Sequence, residues 1–222
     1  MKRALYALVF LMFACACPVL CAAELKPAKL PDNEKLVYRV KWLGVDIGAI
    51  TSSINGIKNI NGRDAYELEI TAGTNDFLSA IDALFGMRYF DYAAGKAYFR
   101  NLLNKSEKTV PIPEDAQDPV SVAYLFRITG IALCGTRDFS VYNNESIYEL
   151  SVVADARRCV KIPKIGMREA LHIQPCAKLD GENVKKGRAS AYFSCDGRMV
   201  PLIGSVKAPL FTEITAYLES CE

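Results

Sequence analysis

Asp118, Pro119, Ser121, Tyr124 and Arg127 gather a carboxylate, a hydroxyl, a phenol and a guanidinium within ten residues. Two chemistries suit such a set. Asp118 is a sound helix N-cap, and Pro119 fits a first helical turn, where no amide donor is needed. Arg127 would then bridge the helix end to a carboxylate or to carbonyls, in planar bidentate contacts that a lysine cannot copy. Alternatively, Ser121 and Arg127 hold an anionic or polar head group. His172 is the single histidine, which excludes a multi-histidine metal centre and leaves one possible base for a serine or cysteine nucleophile. The alternation Leu171-His172-Ile173-Gln174 puts His172 beside Gln174 on a polar strand face. Glu67 and Glu69 are a spaced carboxylate pair, as acid–base chemistry needs, but they share the outward face of a strand. The chain has no nucleophile elbow, zinc-protease helix, phosphate loop or dinucleotide fingerprint, and no cofactor is expected.

Eight cysteines invite a disulfide or metal reading, and the N-terminus decides how many count. Lys2 and Arg3 precede an apolar run from Ala4 to Leu20, then Cys21-Ala22-Ala23 and Glu24. This is the basic, apolar and small-residue order of a secretory signal, with cleavage expected after Ala23. The rivals are a retained anchor, because the run is near the lower limit for a span, and lipidation at Cys15, Cys17 or Cys21. Export to the periplasm is the expectation, with no transmembrane span once residues 1–23 are removed. Removal also takes Lys2 and Arg3 from a chain of charge +2 and leaves it neutral. That weakens any case for a nucleic-acid partner, as does the short basic group Lys185-Lys186-Gly187-Arg188, which reads as a solvated turn. Five cysteines remain: Cys134, Cys159, Cys176, Cys195 and Cys221. Export favours disulfides, but an odd number leaves at least one free thiol or an intermolecular bond. Cys176 with Cys195 across a hairpin, and Cys134 with Cys159 or Cys221, are conceivable pairs; buried, unpaired cysteines are the alternative.

The elements that must carry these residues are mostly strands. Leu36, Tyr38, Val40 and Trp42 alternate with more polar neighbours, and so do Tyr66, Leu68 and Ile70. Tyr148, Leu150 and Val152 repeat the pattern, as do Ile214, Ala216 and Leu218. Period two with one apolar face marks a half-buried antiparallel strand. Turn pairs such as Asn61-Gly62, Asp180-Gly181 and Asp196-Gly197 punctuate the pattern. About ten or eleven strands are expected. The fold class is therefore all-β and mainly antiparallel: a single-domain curved sheet, open barrel or jelly-roll-like arrangement with one or two short helices. One helix follows Asp118; the other would place Phe77, Leu78, Ile81, Leu84 and Phe85 on one face. Residues 24–34 are expected to form a tether and residues 35–222 one β domain. Tyr89, Phe90, Tyr92, Tyr98 and Phe99 crowd one hairpin, as core or as a ligand-facing patch.

Several of these segments resemble a bacterial exported family, domain of unknown function 3108. The resemblance runs over about residues 34–219. It begins at Tyr38-Arg39-Val40-Lys41-Trp42-Leu43-Gly44 with Gly48 leading the next strand. It is most specific at Gln117-Asp118-Pro119-Val120-Ser121, Tyr124-Leu125 and Arg127. It closes with Cys195-Asp196, Arg198, Pro201 and the stretch from Gly204 to Leu218. Tyr192-Phe193-Ser194-Cys195-Asp196 departs from the family, which often has a tryptophan and two acids there. The resemblance implies an exported antiparallel β domain without an established activity, and transfers no functional residue.

Three function classes follow. The first is a non-catalytic periplasmic carrier with a pocket for an apolar or lipid-like ligand. The second is an envelope interaction or scaffold protein that uses a sheet edge or an odd thiol. An enzyme, such as a hydrolase, is the third, and it requires Ser121, Asp118, His172 or glutamates to converge in a cleft.

Overall fold

The computed structural model describes residues 29–60, 62–74, 86–91, 95–101, 106–113, 115–143, 146–184, 188–207 and 213–222. The signal-like segment, the apolar run at residues 77–85 and Lys185-Lys186-Gly187 lie outside them. Thirteen strands and one helix are formed by the described residues. The chain is all-β and mainly antiparallel, as its period-two pattern requires.

β1 (Asn33–Trp42), β2 (Val45–Ile60) and β3 (Arg63–Thr74) form an antiparallel meander. β4 (Gly86–Asp91), β5 (Lys96–Asn101) and β6 (Glu107–Pro111) make a separate three-stranded sheet. The helix α1 (Pro119–Thr129) comes next. β7 (Thr136–Asn143), β8 (Ser146–Ile162) and β9 (Gly166–Leu179) continue the main sheet. The short β10 (Glu182–Asn183) pairs only with β9. β11 (Ala189–Ser194), β12 (Pro201–Lys207) and β13 (Glu213–Cys221) complete it. The order of the main sheet is β3-β2-β1-β13-β12-β11-β9-β8-β7. β1 therefore pairs with the last strand, and Lys35 and Glu222 exchange both backbone hydrogen bonds. β3 and β7 stand at opposite ends of that order, so the sheet is an open one.

The expected tether ends earlier than residue 34. Leu30 is buried against Ile54 and Tyr124, and β1 already begins at Asn33.

Two features bend the sheet. The long hairpin β8–β9 runs past the end of β11, since Ser194 faces Ala170. Its turn folds back towards β13, where Lys164 meets Glu219. Ile162 and Ala170 thereby reach one apolar cluster with Leu36, Leu202 and Leu218. A bulge in β8 between Ala154 and Ala156 frees Asp155 from the ladder. On the face that receives α1, Phe126 packs edge-on against Phe193, ring centroids 5.1 Å apart, among Val152, Leu171 and Ile173. Burying a phenylalanine in this way contributes about 1.5–3 kcal/mol.

Candidate functional site

The helix begins where its sequence says it should. Asp118 Oδ1 accepts from the Val120 amide at 2.8 Å and the Ser121 amide at 3.2 Å, and Pro119 occupies the first turn. The Ser121 hydroxyl donates to Asp118 Oδ2. Ser121 is thus committed to its own helix cap and not to a ligand. Gly130, at φ 63°, closes the other end by donating its amide to the Phe126 carbonyl.

Arg127 is the most enclosed charged group among the described residues, 1% exposed. Its Nη1 and Nη2 donate to Glu34 Oε2 and Oε1 at 2.6 and 2.8 Å, a bidentate fork. Nε reaches the Arg198 carbonyl at 3.3 Å, and the guanidinium lies 5.3 Å from the Tyr124 ring centroid. Every face of the fork is occupied by protein. Tyr124 in turn shares a 2.6 Å hydrogen bond with Ser52 on β2. Tyr38 donates to the Pro201 carbonyl at 3.0 Å, and burial holds its phenol far above the usual tyrosine range. Burial raises Tyr124 as well, the Ser52 bond opposing it. Five elements or connections meet here: β1, β2, α1, the β11–β12 loop and the start of β12. The groups of the head-group reading, the Ser121 hydroxyl and Nε, Nη1 and Nη2 of Arg127, each bond to protein. Glu34, its central carboxylate, was hidden in the charged stretch assigned to the tether.

The second polar site is at His172. Its Nδ1 lies 2.6 Å from Asp155 Oδ1, and its ring is 4.7 Å from the ring of Tyr192, its cross-strand neighbour. The expected polar strand face is covered at one end: His172 is 6% exposed while Gln174, on the same face, is exposed. The aromatic ring of Tyr192 covers one and not the other. Leu171 and Ile173 flank it in sequence and pack with Phe126 of the helix. His172 therefore points to the opposite side of the sheet from α1, and Ser121 and His172 do not converge. The two carboxylates of the spaced pair each take a partner from β2: Glu67 meets Lys58 at 2.5 Å and Glu69 meets Asn55 at 3.0 Å.

None of these five cysteines forms a disulfide. The register explains why Cys176 and Cys195 do not bond. Ser194 faces Ala170, so Cys195 continues opposite Glu169, seven residues along β9 from Cys176. That offset is about 23 Å, against a limit near 7 Å for a disulfide. Cys134 bonds through its amide to the Ala154 carbonyl, five residues along β8 from Cys159, which is also too far. Burial, with Glu169 adding to it, raises the thiol of Cys195 above its ordinary value.

A surface cleft of about 280 Å³ opens where the β1–β2 hairpin and the β8–β9 turn approach β13. Arg39, Lys41, Asp46, Pro163, Lys164, Tyr217 and Glu219 line it. Arg39 holds both Glu219 oxygens, at 3.1 and 3.2 Å. With Lys164 bonded on the other side, the Glu219 carboxyl sits below its usual range. No group of three or more potential metal ligands is present among the described residues. Nor is any helix among them long and apolar enough to cross a membrane.

No protein-family model matches the chain, that of domain of unknown function 3108 included, and no curated protein matches it. Similar solved structures exist at low identity. A β-barrel-like protein of the domain of unknown function DUF1849 from Brucella abortus is 9% identical, with 88% of this chain and 99% of that one covered, at a TM-score of 0.49. A candidate lipoprotein from Parabacteroides distasonis is 8% identical over 90% of this chain and 98% of its own, at 0.40. A candidate exported protein with a YmcC-like fold from Bacteroides fragilis is 10% identical over 90% and 100%, at 0.39.

Proposed function

We propose that the chain is an exported envelope protein, periplasmic after removal of residues 1–23, that works by surface contact and not by catalysis. The observation that carries this reading is the occupancy of the helix-bearing face of the sheet. Tyr124, Phe126 and Arg127 of α1 fill it, and Arg127 is closed by Glu34. Among the described residues this favours an interaction protein over a carrier that holds an apolar ligand inside the sheet. The placement of Ser121 and His172 on opposite sides of the sheet supports a non-catalytic role. The Asp118–Arg127 helix, with its cap and its buried guanidinium, supports membership of the exported family that the sequence resembles.

Cross-linking in intact cells, followed by fractionation and mass analysis, tests the proposal. A defined adduct in the envelope fraction is the expected result. Recovery in the cytoplasm, or a stoichiometric apolar ligand in native mass spectrometry of the purified protein, would overturn it.

A further inference from the structure

The turn between β1 and β2 is built against its own preferences. Trp42 pairs with Val45, so Leu43 and Gly44 form a two-residue loop, with φ of 50° and 81°. Positive φ at both central positions is the type I′ pattern, which favours asparagine or aspartate followed by glycine. The same chain obeys that preference elsewhere. Between β9 and β10, Leu179 pairs with Glu182, and the loop is Asp180-Gly181, with φ of 51° and 80°. At the β1–β2 turn a leucine takes the left-handed position, where a side chain is disfavoured and a polar residue would suit better. It gains no burial there: Leu43 is 68% and Val45 65% exposed, the two most exposed large apolar residues described. A methyl added at Gly44 would meet nothing within 4 Å, as befits a projecting tip.

The charge around this tip is mixed, with cations in excess. The cleft brings the β1–β2 hairpin beside the β8–β9 turn, which carries a third exposed apolar residue, Met167. Arg39, Lys41, Lys161, Lys164 and Arg168 stand on these two hairpin ends, with Asp46, Glu169 and the facing Glu219; Arg39 and Lys164 pair with Glu219, and Lys41 with Asp46. Five cations against three carboxylates is a local excess in a chain that is neutral beyond residue 23. Protruding aliphatic side chains on hairpin ends that also carry cations, as Met167 does with Lys161 as its cross-strand partner, suit a membrane–water interface, where methyl groups enter the acyl boundary and cations meet lipid phosphates.

We infer that the β1–β2 tip and the β8–β9 turn form a docking surface for an anionic phospholipid bilayer. This deepens the envelope-contact reading, and rests on it, by naming lipid as what the surface meets.

Co-sedimentation with vesicles tests it, using the protein purified from the envelope fraction of cells that export it. Binding is expected to phosphatidylglycerol–phosphatidylethanolamine vesicles, to fall with added salt, and to be absent on phosphatidylcholine alone. Leu43→Asn supplies the favoured turn residue, so it preserves the fold while removing the apolar tip; about tenfold weaker binding is expected. Lys161→Gln should weaken binding about fivefold. Equal binding by the Leu43→Asn variant and the parent, or no binding to either vesicle, overturns the docking surface. If Leu43→Asn instead abolishes a cross-link to a protein in cells while no vesicle binds, the lipid assignment fails and envelope contact stands. If neither lipid nor an envelope adduct is found, both fail.

Discussion

Arg127 and Glu34 are separated by 93 positions in sequence and by 2.6 Å in space. Two enclosed charges cost several kcal/mol to desolvate, and their attraction offsets this only with full hydrogen bonding. The bidentate fork, the Arg198 carbonyl and the Tyr124 ring supply it. Removing one partner strands the other, so Glu34→Gln or Arg127→Met should lose about 3–5 kcal/mol in urea unfolding. The double change Glu34→Leu with Arg127→Met should recover most of that loss. Equal losses in single and double variants would show that packing, and not the stranded charge, sets the cost. Tyr38 sits in the same cluster and makes an alkaline prediction. Burial, then the neighbouring Tyr124, raises its phenol in the folded state. The unfolded chain releases this proton near pH 10 while the folded one keeps it. Stability should be fully present below about pH 10 and decline above it. Tyr38→Phe should flatten that decline, though Tyr124, also raised by burial, will retain part of it. An unchanged alkaline slope in the urea midpoint would remove Tyr38 from the account.

At the scale of elements, local signals gave α1 away and long-range ones stayed silent. Asp118-Pro119 states a helix start in adjacent residues, and Gly130 states its end. Asp118→Ala should therefore cost about 0.5–2 kcal/mol, measured as a lower urea midpoint at an unchanged slope. A neutral result would mean that the Ser121 hydroxyl alone supports the first turn. The strands from Leu36, Tyr66, Tyr148 and Ile214 were legible for the same reason, since alternation is written residue by residue. The partner of Arg127 was not: Glu34 joins β1 only because β13 and β2 flank that strand, and no local pattern marks it. The burial of His172 on its polar face was not legible because two distant events cause it. The bulge that turns Asp155 towards it breaks the period-two rule, and Tyr192 covers it from another strand. The β1–β2 turn has Gly44 but no asparagine or aspartate before it. Its meaning came only with the exposure of Leu43 and the contrasting Asp180-Gly181.

For the whole molecule, the open sheet and its register determine how its thiols behave. Cysteine counting suggested staples, because exported chains keep disulfides and a hairpin seemed to place Cys176 across from Cys195. The register overrules that symmetry: β9 runs on past β11, and the two cysteines sit at opposite ends of the pairing. The fold is instead held by strand pairing from β3 through to β7, by α1 against one face, and by the folded-back β8–β9 turn. Four of the five thiols are exposed, and Cys195 is half-buried beside Glu169. Thiolate, not thiol, reacts with an alkylating agent, so a raised Cys195 combined with lower access should slow it. Timed alkylation of the folded protein at neutral pH, followed by peptide mass analysis, should label all five positions and label Cys195 last. Labelling of Cys195 as fast as Cys176 would contradict the burial assigned to it. An alkylation-resistant pair that becomes reactive only after reduction would mean that the exported protein carries a disulfide and adopts another strand register.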